Sequence, residues 1–332
     1  MIDWITAVVP CKHAEFLSGG YVYSVDRDGC IEWETTKGMT VEGSYSAKIQ
    51  VKTYSENQIW ISGNPSKFLQ GHNLFGSNSP RKLVYALLDE LAKRLGLEPS
   101  LGDRLRWRAG HYRITRIDIA ECFRLPSTDD VQHWISSAKP LIRGKHQAVS
   151  AYAGDTIYVG QRSRRITLKI YNKALELKKH PLDENIPFLE RLQDYAEGLL
   201  RVEVCLRSLE LKKRELDMIE NWEADTAMKI LRERIGRLEM PHKMRLTSTE
   251  ISELPQRLRI ATRLWESGHD LTAEYTRSTF YRYRSELRKY GIDIMVPPKA
   301  KAKVIPLIRF LEADHEAKVP DWAIGTSLLA CA

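Results

Sequence analysis

The sequence predicts an α+β protein, with a mostly antiparallel sheet over residues 1–240 and a smaller helical unit over 245–332. Three observations predict it. Short runs with alternating apolar and polar residues recur through the first part, each bounded by Gly, Asp or Asn turn signals. Between them stand segments with apolar residues at helical spacing. At Pro241-His242-Lys243 the pattern breaks, and the residues beyond it are helical and basic.

Residues 1–62 read as β-rich, with strands at Ile5–Val9, Tyr21–Val25, Ser46–Lys52 and Gln58–Ile61. Two glycines then enclose His72-Asn73 within Ser66–Gly76, where the backbone must turn sharply or something must approach it closely. Pro80–Leu95 carries Leu83, Val84, Leu87, Leu88, Leu91 and Leu95 on one helical face, with Pro80 at its start and Gly96 as its stop. Tyr112–Phe123 is a strand with Ile117 and Ile119 on one face and Arg116 and Asp118 on the other; a mid-strand Asp is unusual, since it is costly to bury unpaired. A helix comes next at Thr128–Ile142, capped at Ser127 or Thr128.

Asp155–Lys179 reads as two strands joined by a basic turn containing Arg162, Arg164 and Arg165. Along its second strand Ile166, Leu168 and Ile170 share one face, and Thr167, Lys169 and Tyr171 share the other. Phe188–Glu197 is helical, and Leu199–Arg207 returns as a strand with Arg201, Glu203 and Cys205 on one face. Residues 209–240 are charged and helical, Glu250–Glu266 is an amphipathic helix, and Thr276–Tyr290 is a second one after a Gly-containing turn. No repeat at a solenoid period is present; a five-residue echo relates Ile59–Gly63 to Ile157–Gln161.

Composition narrows the function classes. The 332 residues carry a formal charge of +8, from 51 Lys and Arg against 43 Asp and Glu, and a basic excess favours a polyanionic partner. The five cysteines lack any Cys-x-x-Cys spacing, which argues against a disulfide framework or zinc knuckle and for a reducing compartment. The N-terminus lacks the basic start of a signal peptide, and no apolar run approaches the roughly 20 residues of a membrane span. The expectation is a soluble cytoplasmic protein with no membrane partner. No Gly-rich nucleotide loop, serine nucleophile elbow or Cys₄ pattern is present.

The candidate chemistry lies on the polar faces of the strands. Tyr171 stands near Lys169, Lys173, Arg164 and Arg165, and cations near a phenol lower its pKa and offset charge on a phosphorus centre under attack. Asp118 and Glu203 repeat one pattern, a mid-strand carboxylate two residues after an arginine. That pattern reads either as two structural salt bridges or as a hard-oxygen site for Mg²⁺ or Mn²⁺, with His72 completing a mixed ligand set and Glu121 a weaker candidate. In the last helix Arg277, Arg282, Arg284, Arg288 and Lys289 interleave with Phe280, Tyr281 and Tyr283. A charge run is usually a solvated face, but here it reads as the second helix of a helix-turn-helix, with Arg277, Tyr281, Arg282, Arg284 and Arg288 toward DNA.

Four segments resemble the gene II/gene X replication initiators of filamentous bacteriophages, a group similar to the rolling-circle Rep proteins of small plasmids. Lys67–Gly76, Lys-Phe-Leu-Gln-Gly-His-Asn-Leu-Phe-Gly, is close to that family's Lys-x-Leu-Gln-Gly-His-Asn-x-Phe-Gly. Ile114–Ala120, then Leu168–Glu176 with Gly198–Arg207, resemble its Arg-Ile-Asp strand, its tyrosine strand and the next Gly-Leu-x-Arg-x-Glu strand. Val304–Trp322 resembles its C-terminal end. The resemblance implies a Rep/relaxase-like nicking and joining enzyme at a phage origin. Its tyrosine, matching Tyr171, attacks one strand of the origin duplex, leaving a 5′-phosphotyrosyl link and a 3′-OH that primes a host polymerase. It implies double- and single-stranded DNA as partners, a host helicase beside the polymerase, and an oligomer. It puts Asp118 and Glu203 at a metal and leaves Tyr195 and Tyr158 as candidates for a second nucleophile. Related enzymes often carry a His-hydrophobic-His motif, and this chain has none. The rival class is a non-enzymatic, sequence-specific DNA-binding regulator.

Overall fold

The computed structural model describes residues 1–13, 15–139, 142–144, 149–152, 156–239, 248–290, 292–295 and 311–331. Its strands are β1 (Ile2–Pro10), β2 (Tyr21–Val25), β3 (Ile31–Thr36), β4 (Met39–Glu42), β5 (Lys48–Ser55), β6 (Gln58–Gly63), β7 (Arg113–Arg124), β8 (Arg143–Gly144), β9 (Val149–Tyr152), β10 (Thr156–Val159), β11 (Ile166–Asn172), β12 (Leu199–Arg207) and β13 (Leu238–Glu239). Nine of them form one sheet in the order β4-β5-β6-β1-β7-β12-β11-β10-β9, while β2 pairs with β3 and β8 with β13 outside it. Every ladder in the large sheet is antiparallel. The α+β reading with a mostly antiparallel sheet therefore holds.

The helices are α1 (Pro65–Gln70), α2 (Pro80–Leu95), α3 (Leu101–Ala109), α4 (Thr128–Ala138), α5 (Lys173–Lys179), α6 (Leu189–Ala196), α7 (Ser208–Lys213), α8 (Thr226–Gly236), α9 (Ser248–Glu253), α10 (Gln256–Glu266), α11 (Leu271–Glu274) and α12 (Arg277–Arg288). Period-two alternation puts Ile5, Ile49, Ile61, Ile117, Leu168 and Val204 on one face of the sheet, and helices α2, α3, α4 and α8 bury that face. The helix α2 begins as its sequence requires: Ser79 accepts from the Lys82 N–H, Pro80 opens the first turn, and Gly96 ends it in the left-handed region at φ 63°. Its fully buried Leu83, Leu87 and Leu91 each contribute roughly 1.5–3 kcal/mol. The opposite face of the sheet carries Thr6, Trp60, Asp118, Lys169, Tyr171, Arg201 and Glu203, and it is there that the polar groups gather.

The sheet consists of two similar halves that meet at the β1–β7 pair. In each half a first strand lies at the centre, the last strand returns beside it, and the intervening hairpin extends outward: β1, β6, β5, β4 on one side and β7, β12, β11, β10 on the other. Taking Ile5 opposite Ile117 as the centre, the registers place Thr6 with Asp118, Trp60 with Glu203 and Lys52 with Lys169. Lys48-Ile-Gln-Val-Lys-Thr-Tyr54 then aligns with Arg165-Ile-Thr-Leu-Lys-Ile-Tyr171, sharing the isoleucine, the lysine and the tyrosine. The five-residue echo in the sequence is a different one, because it relates β6 to β10, which are not equivalent strands.

Two sequence expectations are corrected by backbone chemistry. The helix expected over Glu250–Glu266 is broken into α9 and α10, because Pro255 has no N–H and disfavours helical geometry at Leu254. The charged run 209–240 is two helices separated by a 3₁₀ turn at Ile219–Asn221 and ends in β13. Residues from Ile251 to Ile294 close a small core of their own around Leu258, Trp265, Phe280 and Leu287. The tail does not stay with them. Leu311 joins the large core, Ala323 and Leu328 pack with Leu74, Phe75 and Leu199, and the Ala317 N–H donates to the Cys122 carbonyl. The expected unit 245–332 is thus composite. The break at 241–243, Gly291 and residues 304–310 of the C-terminal resemblance lie outside the described residues. No helix among the described residues is long and apolar enough to cross a membrane.

Candidate active site

Arg201 is the hub of the polar face. Its guanidinium is fully buried; it donates to Glu203 Oε1 at 2.9 Å, to Asp3 Oδ1 at 2.7 Å and to the Asn73 carbonyl at 2.6 Å. The Tyr171 hydroxyl donates to the same Glu203 Oε1 at 2.6 Å. Lys169 stands with its ammonium 3.9 Å from the Tyr171 ring centre and 3.7 Å from Glu203 Oε2. Asp3 also accepts from Asn64 at 2.9 Å and Asn73 at 2.6 Å. Burial would raise its carboxyl, but Arg201, Asn73 and Lys173 outweigh it and hold Asp3 below the usual carboxylate range.

Tyr171 does lie on the polar face, as its alternation requires, but its environment is not the expected one. Only 4% of the residue is exposed, and its pKa is raised well above the ordinary value, first by burial and then by the Glu203 charge. Cations do not set this phenol; burial and a carboxylate do. Lys173 is not beside the tyrosine hydroxyl either. It opens α5, is fully buried, and donates to Asn73 Oδ1 at 2.9 Å and Glu176 Oε2 at 2.6 Å. Burial, with Arg201 nearby, lowers its pKa.

Asp118 and Glu203 do converge on one face of neighbouring strands. Cys205 lies opposite Asp118 and Ala120 opposite Glu203, so the two acids are diagonal neighbours. Such positions are about 7–8 Å apart. Each is already neutralised: Arg116 clamps Asp118 through two bonds of 2.9 and 2.6 Å, and Arg201 and Lys169 hold Glu203. Burial nevertheless lifts the Asp118 carboxyl above its ordinary value.

His72 does not belong to this set. It is fully buried, its Nε2 lies 2.9 Å from the Leu328 carbonyl, and its Nδ1 accepts from the Leu74 N–H at 3.3 Å. Desolvation first of all lowers its pKa to about 4. With both ring nitrogens engaged it has no lone pair for an ion. Among the described residues no three His, Cys, Asp or Glu side chains come together as a metal site. The expected His72–Asp118–Glu203 ligand set for Mg²⁺ or Mn²⁺ does not fit this arrangement, and an ion would first have to displace Arg116 or Arg201. Glu121 lies apart from the pair, with its Oε1 accepting from the Cys122 N–H. The glycine-flanked loop has another role. Gly71, at φ 81°, ends α1 in the left-handed region, where a Cβ would meet the Tyr45 ring at 2.7 Å. The turn it permits delivers Asn73 to Asp3, Lys173 and Arg201 together.

Asp3 and Asn73 are the residues that strand alternation did not single out. Asp3 precedes the first regular alternation, where β1 is offset by a bulge between Ile2 and Trp4, and only the pairing of β1 with β7 brings it to Arg201. Of the further tyrosine candidates, Tyr195 donates to the Lys318 carbonyl at 2.9 Å and is raised by burial, and Tyr158 lies on β10 opposite Lys169.

The basic residues divide. Arg162 and Arg164 are exposed on the turn between β10 and β11, while Arg165 pairs with Glu210 at 3.1 Å. On α12, Arg277, Tyr281 and Arg282 face outward, but Phe280 and Tyr283 belong to the core. Arg284 is not free for DNA: Asp293 holds it through bonds of 2.6 and 2.8 Å and leaves its side chain 13% exposed, with Arg288 3.8 Å from the same carboxylate.

The fold and site together define an α+β protein with a charged, tyrosine-containing cluster on the polar face of an antiparallel sheet, accompanied by a basic helical unit. Comparison with known proteins makes this specific. The family described as the replication-associated gene 2 protein, N-terminal, matches residues 1–225, and its C-terminal counterpart matches 246–328. The chain is 35% identical over 332 residues to the replication-associated gene 2 protein of Enterobacteria phage I2-2, covering 96% of this chain and 95% of that one. It is 25% identical to the protein of the same name from Enterobacteria phage M13, over 80% and 76% of the two chains. The chain belongs to the family of phage replication-associated gene 2 proteins. A rolling circle replication initiator from Geobacillus stearothermophilus aligns over 75% of this chain and 88% of its own, at 11% identity and a TM-score of 0.30, a likeness too weak to carry weight.

Proposed function

We propose that this protein initiates rolling-circle replication in the host cytoplasm by cutting one strand at a phage origin and later rejoining it, with Tyr171 as the nucleophile. The observation that carries this reading is the 2.6 Å bond from the Tyr171 hydroxyl to Glu203. An activated nucleophile needs a base within hydrogen-bond reach and a third group that orients the base; Glu203 and Arg201 stand in those places. In the step, Tyr171 Oη attacks phosphorus as its proton passes to Glu203. The bond from phosphorus to the 3′ oxygen breaks, and that oxygen leaves and takes up a proton. Bond energy is retained in the 5′-phosphotyrosyl link, so no nucleotide is consumed, and the freed 3′-OH serves a host polymerase. Lys169, over the Tyr171 ring, is placed to offset phosphate charge, and the exposed Arg162 and Arg164 on the β10–β11 turn would contact the DNA further along the strand. Because the ring is buried, DNA binding must open the cluster before the oxygen can reach a phosphate.

The test uses supercoiled origin DNA. The expected products are relaxed circles and DNA-linked protein on a denaturing gel, both lost in Tyr171→Phe while origin binding persists. Binding without relaxed circles in the unaltered protein would instead identify a non-enzymatic regulator. A Mg²⁺ or Mn²⁺ requirement is measured in the same assay by chelation and readdition, and because Arg116 clamps Asp118, Asp118→Ala is expected to leave any ion titration unchanged. A weakened titration would show that Asp118 leaves Arg116 to hold the ion.

A further inference from the structure

The half of the sheet without the proposed nucleophile contains an open groove of about 880 Å³ at the place equivalent to the Tyr171 cluster. Its floor is Val8, Trp60 and Thr115, and its walls carry Tyr54, Arg106 and Arg113. Equivalence is set by register: Trp60 stands where Glu203 does, Thr6 where Asp118 does and Lys52 where Lys169 does, while Tyr54 matches Tyr171 along the strand sequence but sits in a bulge of β5 between Thr53 and Ser55. This half therefore keeps the lysine and the tyrosine but has lost both acids. With an indole where Glu203 would stand, Tyr54 lacks the base that Tyr171 has, so this copy is not a second nucleophilic site.

The replacements for the acids suit a different task. Trp60 offers a half-buried indole face, and the Lys52 ammonium lies 5.4 Å from its centre. Tyr54 is 61% exposed, whereas Tyr171 is sealed. The side chains of Arg106 and Arg113 are 59% and 60% exposed, and Lys212 lines the same groove. Each arginine has a carboxylate at the long distance of 3.5 Å, Asp103 for Arg106 and Asp217 for Arg113, and neither is clamped by it. On the same sheet face, between groove and cluster, Trp4 lies under the Arg116 guanidinium at 5.2 Å, and Thr6 and Trp4 bond to Ser62. Aromatic faces flanked by cations are what unpaired bases and their phosphates bind.

We propose that this groove is a non-catalytic site for single-stranded DNA, with Trp60 and Tyr54 stacking on bases and Arg106, Arg113 and Lys212 contacting phosphates. It rests on the reading of the protein as a DNA strand transferase and would hold unpaired DNA beside the strand being cut.

The experiment titrates full-length protein into a short fluorescent oligothymidylate and follows anisotropy at several salt concentrations, alongside the adduct assay. Trp60→Ala is expected to weaken binding about tenfold to a hundredfold, with Trp60→Phe restoring most of it. Arg106→Ala with Arg113→Ala, both at exposed positions, is expected to lower the salt slope by about 1.4. Should Trp60→Ala fail to fold, the arginine pair still decides. Affinity and salt slope unchanged in these variants would overturn the groove, even with adduct formation intact. An oligothymidylate affinity that depends on Trp60 in a protein forming no adduct would instead keep the groove and overturn the proposed nucleophile.

Discussion

Tyr54 and Tyr171 end matching strand sequences in two halves of one sheet, yet one is 61% exposed and the other 4%. Both tyrosines come after an Ile-x-(Val/Leu)-Lys pattern, but β5 bulges at Tyr54 between Thr53 and Ser55, whereas Tyr171 stays in register opposite Arg201. The layer above differs as well. Over the second half lie the 71–76 loop, α5, α6 and the tail, whose Ala323 and Leu328 pack against Leu74, Phe75 and Leu199. Over the first half there is a groove. A strand pattern thus sets which face a tyrosine occupies, and the cover and the neighbouring acids decide its chemistry. The sharpest way to break this contrast is to remove each hydroxyl in turn. Tyr171→Phe is expected to abolish the covalent adduct, and Tyr54→Phe to leave it intact. Loss of the adduct in Tyr54→Phe would show that the two halves share the reaction.

The next largest effect is expected in stability. Arg201 neutralises Asp3 and Glu203 inside the protein, while the equivalent position in the first half is Gln58, with no buried acid to serve. Arg201→Met removes the buried cation that Asp3 and Glu203 share and is expected to cost about 3–5 kcal/mol in urea unfolding. Gln58→Met is expected to stay within roughly 0.5 kcal/mol. Equal losses at the two positions would mean that the cluster is not organised around Arg201.

Much of this contrast is legible in the sequence, and the rest is hidden for physical reasons. Period-two alternation puts Tyr171, Asp118 and Glu203 on the polar face, and an arginine two residues before each acid marks a pair that is built as read. Alternation cannot report cover, so Tyr171 reads as a phenol among cations although it is buried with its hydroxyl tied to Glu203. His72 reads as a ligand because its loop is tight; the tightness serves Asn73, and the carbonyl that occupies His72 comes from Leu328. The internal symmetry escapes a linear reading because the lysine–tyrosine echo between β5 and β11 is spread over alternating positions and shows only when the strands are laid in register.

His72 supplies a pH effect of intermediate size. Its folded pKa of about 4 lies below the ordinary 6.5 of an unfolded chain, so between these values the unfolded state binds more protons. Stability from this group is fully present above about pH 6.5 and is lost as pH falls toward 4, by up to about 3 kcal/mol. Asp3, whose pKa is depressed, adds its own loss only at lower pH, as the solution becomes acidic enough to protonate carboxyls. Urea midpoints between about pH 7 and 4.5 should therefore fall steeply in the native sequence and less steeply in His72→Gln. Parallel pH profiles for the two proteins would remove His72 as the cause.

The smallest effect concerns the helical unit, where neighbouring arginines repeat the contrast between open and covered groups. Arg277 and Arg282 face solvent, whereas Arg284 is held by Asp293 against a core containing Phe280 and Leu287. If α12 meets duplex DNA, Arg277→Ala with Arg282→Ala should weaken origin binding uniformly across sequences and lower the salt slope by about 2, with no change in unfolding. Arg284→Ala should do the opposite, because it removes the partner of a buried carboxylate and leaves the outward face intact. An unchanged salt slope in the first variant would mean that α12 does not touch phosphate. A salt slope that fell in Arg284→Ala without loss of stability would mean that the Asp293 pair opens to release its arginine to DNA.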